Sequence, residues 1–174
     1  MMTGVTLWFT GLPCSGKTTI ADILAPKLRA LGKKVERLDG DIVRNGLTRD
    51  LGFSKEDRDM NIERVTFVAK LLTRNQVLVL ATFVSPYRDR RNKSREEIGE
   101  FIEIYVKASI EECMKRDVKG MYKKALAGQI KNFTGVDDPY EEPLNPELIL
   151  DTDKESVEES VDKVLQYLEN KGYV

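Results

Sequence analysis

One short segment, residues 10–19, constrains the fold of this chain more than any other. It reads TGLPCSGKTT, which fits the pattern G-x-x-x-x-G-K-[ST]. Glycines allow a tight turn in which successive N–H groups point at one anion, and a helix that begins there adds the positive end of its dipole. The pattern therefore predicts a phosphate-binding loop made of Gly11, Leu12, Pro13, Cys14, Ser15, Gly16, Lys17, Thr18 and Thr19.

The residues on either side of this loop have the periodicity that it requires. Residues 5–9 are apolar and predict a buried strand, whereas apolar residues at helical spacing over 20–31 predict a helix that ends at Gly32. In such a loop Lys17 supplies a positive charge for the β- and γ-phosphates, and the Thr18 hydroxyl suits Mg²⁺. We therefore expect the chain to bind a nucleoside triphosphate together with Mg²⁺.

Length and charge limit the class of protein. A chain of 174 residues suits one α/β domain over residues 1–174, and its 28 basic and 29 acidic residues nearly cancel. No strong net charge draws such a chain to nucleic acid or to an anionic membrane. The longest apolar runs, such as 77–81, are too short to cross a bilayer, and residues 1–10 lack the apolar core of a signal peptide. We expect a cytoplasmic protein.

Cysteine and histidine usage narrows the chemistry. The two cysteines, Cys14 and Cys113, argue against a disulfide framework. Cys14 is interpreted as a small side chain tolerated in the loop, with a redox-sensitive thiol as the alternative. Because the chain contains no histidine, catalysis must rest on carboxylates, cations and backbone groups.

Strand and helix patterns alternate along the chain. Besides residues 5–9, strands are predicted at 34–38, 77–81, 101–106 and 148–150, with a basic helix over about 86–99 and a closing helix at 155–169. This alternation predicts an α/β P-loop NTPase fold, in which helices cover both faces of a central parallel five-stranded sheet. Ligands then lie beyond the carboxyl ends of the strands.

Residues 118–136 differ from the rest of the chain in charge. They contain four lysines but no Asp or Glu, with glycines as hinges and Tyr122 and Phe133 as stacking faces. We expect a mobile lid over about 117–137 that closes over phosphates and excludes water. An ordinary basic surface loop is the alternative.

The acidic residues that could serve phosphoryl transfer follow the second predicted strand. The third strand has no acid at its carboxyl end, whereas the second is followed by Asp39, Gly40 and Asp41. We expect Asp41 to act as base for the acceptor hydroxyl or as organiser of Mg²⁺, with Asp39 secondary. The alternative is an Asp-Gly turn that caps a helix. An acid in this place is typical of small-molecule kinases.

Arginines follow these acids in two groups. The first comprises Arg44, Arg49, Arg58 and Arg64, with Phe53 and Asn61, and the second comprises Arg88, Arg90, Arg91, Lys93 and Arg95. Arginine binds phosphate and sulfate with two parallel N–H donors, so an anionic acceptor is expected. Solvated helix faces are the alternative, more so for the second group.

The motifs taken together resemble one known family over nearly the whole chain, the adenylylsulfate (APS) kinases. Beside the phosphate loop, the matching segments are LDGDxVRxGL at 38–47, DLGFS at 50–54, EDRxxNI at 56–62, SPY at 85–87, RDxKGxYKKA at 116–125 and FTGVDxPYExP at 133–143. The phosphate loop alone indicates an NTPase, but this combination in this order is highly specific.

The resemblance implies transfer of the γ-phosphate of ATP to the ribose 3′-hydroxyl of APS, which gives PAPS and ADP. It implies that Lys17 and Asp41 are catalytic, that Thr18 and Asp41 serve Mg²⁺, and that Arg116 and Thr152 lie near the ATP adenine. The implied APS site consists of Asp39, Arg44, Phe53, Arg58, Asn61, Val84, Ser85, Lys119 and Phe133. Arg44, Arg58 and Asn61 would hold the phosphosulfate and ribose, Phe53 and Phe133 would sandwich the adenine, and Lys119 would meet phosphate from the lid.

The family also implies further properties. Ser85 is a candidate phosphoserine intermediate, although direct in-line transfer is favoured because no base stands near it in the sequence. A homodimer and a fusion or association with ATP sulfurylase are implied as partners. The chain departs from the family pattern at Asn45, Met60 and Glu63, and Glu63 makes the pocket rim less basic. Another small-molecule kinase and a non-catalytic nucleotide-sensing module remain the competing interpretations.

Overall fold

The computed structural model describes residues 3–174. Its strands are β1 (Val5–Thr10), β2 (Val35–Asp39), β3 (Leu78–Thr82), β4 (Phe101–Lys107) and β5 (Leu148–Asp151). Its helices are α1 (Lys17–Ala30), α2 (Gly40–Asn45), α3 (Lys55–Arg74), α4 (Arg88–Ile98), α5 (Ile110–Arg116), α6 (Met121–Leu126) and α7 (Val157–Asn170). The strands form one parallel sheet in the order β2-β3-β1-β4-β5. The predicted five-stranded parallel sheet is therefore confirmed.

The bounds of the elements differ from the predicted ones by up to three residues, for local reasons. The closing helix begins at Val157 because Ser156 and Glu159 form a reciprocal capping box. In the same way, the basic helix begins at Arg88, two residues after Pro86, with Tyr87 as its N-cap. Within the expected lid, helix α6 is an element that the charge pattern did not predict.

Both faces of the sheet are buried, as the continuous apolar strands require. On one face Val5, Leu7 and Phe9 of β1 pack in a core with residues of α1 and α7. On the other face Trp8 packs in a second core with residues of α3, and its ring stacks between Phe83 and Phe101, at centroid distances of 5.8 and 5.7 Å. Successive residues of one strand thus build opposite cores.

This topology places a crevice at the carboxyl ends of β1 and β3. The two strands are neighbours, but the chain leaves β1 toward α1 on one face and leaves β3 toward α4 on the other. Loops that diverge in this way open a space between them, which is where open α/β sheets bind ligands. Among the described residues, no helix has both the length and the apolar character that crossing a bilayer demands.

Candidate active site

The phosphate loop joins β1 to α1 and holds its lysine inward. Gly11 packs so closely against β4 that a Cβ there would lie 2.3 Å from the carbonyl oxygen of Val106. The amine of Lys17 donates hydrogen bonds to the carbonyl oxygens of Gly11 and Leu12, at 2.9 and 2.7 Å. Burial lowers the pKa of Lys17 to about 8. The loop therefore holds a desolvated cation, and no described carboxylate lies within hydrogen-bonding distance of it. A bound phosphate can supply the negative charge that pairs with this amine.

Asp39, the last residue of β2, lies at the centre of a hydrogen-bond cluster that joins β2 to α1, α2 and β3. Its carboxylate accepts from the hydroxyls of Thr18 and Thr82, both at 2.9 Å, and from the backbone N–H of Asp41 at 3.0 Å. Burial acts to raise the pKa of Asp39, but these three donors and the nearby Arg37 outweigh it and hold the pKa below its ordinary value. Asp39 is therefore an ionised, nearly buried carboxylate in contact with the phosphate loop.

The pair of Thr18 and Asp39 fits a magnesium site. Mg²⁺ in nucleotide enzymes is held by one or two protein oxygens together with phosphates and water, and both residues supply such oxygens. Within residues 3–174, no group of three or more acidic, Cys or His side chains could hold a metal by itself. The hydroxyl of Thr18 donates to Asp39, and the shared role of Thr18 and Asp41 in holding Mg²⁺ stays a prediction.

Asp41 occupies a different environment from Asp39. Its side chain is 71% exposed, and its carboxylate contacts the amine of Lys119 at 2.5 Å. The hydrogen bond that Lys119 donates to Asp41 raises the pKa of Lys119. The residue expected from the lid and the residue expected as base are thus adjacent, at the end of β2 and the start of α2.

The two arginines expected to bind the acceptor both lie against aromatic rings. The guanidinium carbon of Arg44 lies 4.2 Å from the centre of the Phe53 ring, and that ring is 66% exposed. The guanidinium of Arg58 contacts the carboxylate of Asp138 at 2.9 Å and donates to the hydroxyl of Tyr87 at 3.0 Å. Arginine and aromatic faces side by side suit an anionic ligand with a planar base.

Asn61 and Phe133, both expected in the acceptor site, each contact another side chain of the protein. Asn61 is buried, and its side-chain oxygen accepts from the hydroxyl of Thr48 at 2.7 Å. Phe133 meets Tyr122 edge to face with ring centres 5.0 Å apart, and the Tyr122 hydroxyl donates to the carbonyl of Pro13 at 2.8 Å. Tyr122, in the segment expected to form the lid, is therefore hydrogen-bonded to the phosphate loop.

Val84 and Ser85 lie in the segment that joins β3 to α4. Ser85 has a φ of 38°, and its hydroxyl accepts from the Trp8 indole N–H at 2.9 Å. The carbonyl of Ser85 accepts from Arg91 at 2.6 Å, and the carbonyl of Val84 accepts from the Thr10 hydroxyl at 2.7 Å. The Ser85 hydroxyl is thus buried and already hydrogen-bonded.

Arg116 and Thr152 come together at the other end of the phosphate loop. The Thr152 hydroxyl donates to the carbonyl of Ser15 at 2.8 Å, and Arg116 donates to the carbonyl of Thr152 at 2.8 Å. Both line a cleft of about 570 Å³ together with loop residues, namely Cys14, Gly16, Lys17, Thr18 and Thr19. Cys14 and Cys113 are both free thiols. The structure thus brings together Arg116 and Thr152, the two residues expected near the ATP adenine.

The second arginine group, for which a solvated helix face was the favoured interpretation, is used mainly in ion pairs within the protein. Arg91 is 1% exposed and its Nε lies 2.8 Å from the carboxylate of Glu103. Arg95 pairs with Glu147 at 2.6 Å, and Arg90 pairs with Glu63 at 2.7 Å. These carboxylates are 12 to 52 residues distant in sequence, so the pairing depends on the folded sheet.

The fold and the site define a class of protein, a P-loop kinase. A family model for adenylylsulphate kinase matches residues 3–151. The chain belongs to the adenylylsulphate kinase family, and it is an enzyme of that family. The resemblance expected from the motifs is confirmed.

Two solved structures and one curated relative illustrate the similarity. The adenylyl-sulfate kinase of Halothermothrix orenii is 63% identical over 98% of this chain and 92% of its own length. A Mycobacterium tuberculosis APS kinase, in complex with AMPPNP and APS, is 41% identical with a TM-score of 0.92, over 97% of this chain and 99% of that one. A hexameric APS kinase from Thiobacillus denitrificans is 36% identical with a TM-score of 0.77, over 99% of this chain and 30% of that one.

Proposed function

We propose that this enzyme transfers the γ-phosphate of ATP to the ribose 3′-hydroxyl of adenosine 5′-phosphosulfate, which gives PAPS and ADP. The observation that carries the assignment of roles is the convergence of three features at one edge of the sheet. A buried Lys17 lies in the phosphate loop, Asp39 contacts Thr18, and Asp41 stands exposed beside the lid. The names of the relatives support APS as the acceptor.

The nucleotide site is formed by the phosphate loop and the cleft beside it. On ATP binding, Lys17 exchanges the carbonyls of Gly11 and Leu12 for oxygens of the β- and γ-phosphates. Arg116 and Thr152 lie on the adenine side. Thr18 and Asp39 would hold Mg²⁺, which when bound offsets the negative charge of the phosphates. Asp41 is then free to act as base for the hydroxyl of the acceptor.

The acceptor site lies on the other side of the crevice. Arg44 and Arg58 bind the phosphosulfate, and the rings of Phe53 and Phe133 bind the adenine. Asn61 supports this site from α3, since it braces Thr48 in the loop that follows α2. Lys119 meets phosphate from the lid once it leaves Asp41.

The chemical step is a direct in-line displacement. Asp41 accepts the proton of the 3′-hydroxyl, the oxygen forms a bond to the γ-phosphorus, and the bond from that phosphorus to the β-phosphate oxygen breaks, so that ADP leaves. A phosphoserine intermediate on Ser85 is the alternative. The direct route is favoured because the Ser85 hydroxyl is buried against the Trp8 indole.

Several further properties belong to the same proposal. The chain is proposed to form one domain whose lid, about 117–137, moves over the phosphates, and residues 1–2 of the expected range 1–174 lie outside the described residues. A homodimer is proposed, supported by the hexameric relative, and association with ATP sulfurylase is proposed from the family pattern alone. A cytoplasmic location is proposed because the reaction consumes ATP.

The decisive experiment is a PAPS-forming assay with APS and Mg-ATP, in which ADP release is coupled to acceptor addition. We expect one ADP for each PAPS, and no comparable turnover with sugar acids or other nucleotides as acceptors. Turnover with one of those acceptors instead would indicate another small-molecule kinase. Binding of APS without ADP release would indicate a nucleotide-sensing module.

A further inference from the structure

Arg58 already forms an ion pair with an acidic side chain of the protein itself, that of Asp138. Its NH1 lies 2.9 Å from a carboxylate oxygen of Asp138, and the Tyr87 hydroxyl donates to the same oxygen at 3.0 Å. The side chains of Arg58 and Asp138 are only 14% and 18% exposed. The pair is therefore partly shielded from solvent, where ion pairs are screened less than at the surface.

The backbone holds Asp138 in this place. Its N–H donates to the carbonyl of Phe133, and its carbonyl accepts from the N–H of Gly135 at 2.8 Å. A bridge between Thr134 and Asp138 closes the same turn. The carboxylate is thus presented to Arg58 by a hydrogen-bonded turn at the C-terminal end of the lid.

A phosphosulfate would bind the guanidinium of Arg58 through the same kind of hydrogen bond as this carboxylate does. Both are oxyanions that accept N–H donors of the guanidinium. The Nε of Arg58 is buried and has no hydrogen-bond partner within residues 3–174, so the chain does not use all the donors of this guanidinium. However, a second anion at Arg58 would lie close to the Asp138 carboxylate, and like charges repel.

We infer that Asp138 competes with the acceptor anion for Arg58 and thereby sets the affinity of the enzyme for APS. This inference rests on the proposed function, because it takes Arg58 as a ligand of the phosphosulfate. Asp138 is an affinity-determining residue and takes no part in the chemical step. When the acceptor binds, Arg58 releases the carboxylate at least in part, and this exchange reduces the net gain from binding.

The test is the dissociation constant of APS, measured by calorimetry without ATP, for the wild type and for Asp138→Asn. Asparagine keeps the shape and can still accept the Tyr87 hydrogen bond, but it removes the charge. We expect the dissociation constant of APS to fall by about three- to tenfold, and that of ATP to stay unchanged. A gain in affinity cannot arise from damaged folding. An unchanged or weaker affinity for APS would overturn the inference.

Two controls isolate the contact. Asp162→Asn removes an exposed charge on α7, and we expect no change in APS affinity. In an Arg58→Ala background, Asp138→Asn should no longer tighten APS binding; if it still did, the effect would not pass through Arg58. If Arg58→Ala alone left APS affinity intact, the acceptor site of the proposed function would be wrong, which is a different failure from that of Asp138.

Discussion

The amine of Lys119 lies 2.5 Å from the carboxylate of Asp41. Lys119 lies in the segment expected to form the lid and Asp41 lies at the start of α2, so the contact joins residues 78 positions apart in the sequence. In this arrangement the lid lysine neutralises the carboxylate that is proposed as base. Substrate phosphates offer Lys119 an alternative partner, and its departure frees Asp41 to accept a proton.

Asp41→Ala should reduce turnover at least about a hundredfold, because the acceptor hydroxyl loses its base. ATP affinity should change little, since Thr18 and Asp39 remain paired. Steady-state PAPS formation and ATP calorimetry measure the two quantities. Asp162→Ala, which removes an exposed acid on α7, is the matched control. Normal turnover in Asp41→Ala would contradict the mechanism.

Lys119→Gln should lower turnover by about tenfold, because the lid loses the charge that meets phosphate. Lys131→Gln removes another exposed lysine of the lid and should leave turnover nearly unchanged. The measurement is the turnover number at saturating ATP and APS. Equal losses in the two variants would mean that general lid charge, and not the place of Lys119, matters.

ATP binding should take up protons at about pH 9, because burial lowers the pKa of Lys17 to about 8. In the free enzyme most of Lys17 is then neutral, whereas the bound triphosphate favours its charged form. At about pH 6 Lys17 is already protonated, and its share of the uptake should vanish. Calorimetry in buffers of different ionisation enthalpy measures the proton count. Lys17→Met should lose the uptake at the higher pH, and an unchanged count would refute the assignment.

Arg91→Ala should lower the free energy of unfolding by about 3–5 kcal/mol, because it leaves the buried carboxylate of Glu103 without its partner. The same change removes the donors to the carbonyls of Ser85 and Glu141, both at 2.6 Å. Lys93→Ala, on the exposed side of α4, should cost less than about 0.5 kcal/mol. Urea unfolding followed by circular dichroism compares the two variants. Similar losses of unfolding free energy in both variants would show that the buried ion pair of Arg91 does not stabilise the fold more than an exposed residue does.

Ser85→Ala should retain near-normal turnover if transfer is direct, because no covalent step then uses the hydroxyl. Some loss of stability is expected, since the Trp8 indole N–H loses its acceptor. PAPS formation below the unfolding temperature of the variant is the measurement. Loss of all turnover in a folded variant would support the phosphoserine route instead.

Much of this architecture could be predicted because its signals are local. The apolar strands, the phosphate loop and the acid after β2 follow from neighbouring residues. The contact between Thr82 and Asp39 was missed, because it depends on the register that pairs these two residues across β2 and β3. The pairing of Arg91 with Glu103 was missed for the same reason. A basic run in sequence does not show which carboxylates the fold will bring to it.

The hydrogen bond from Trp8 to Ser85 gives the enzyme an intrinsic optical reporter. Trp8 is the only tryptophan of the chain, and its indole N–H donates to Ser85, a residue proposed to line the acceptor pocket. The environment of the indole N–H therefore depends on the position of Ser85. Ultraviolet excitation of the unlabelled enzyme should therefore follow acceptor entry in real time, without any added dye.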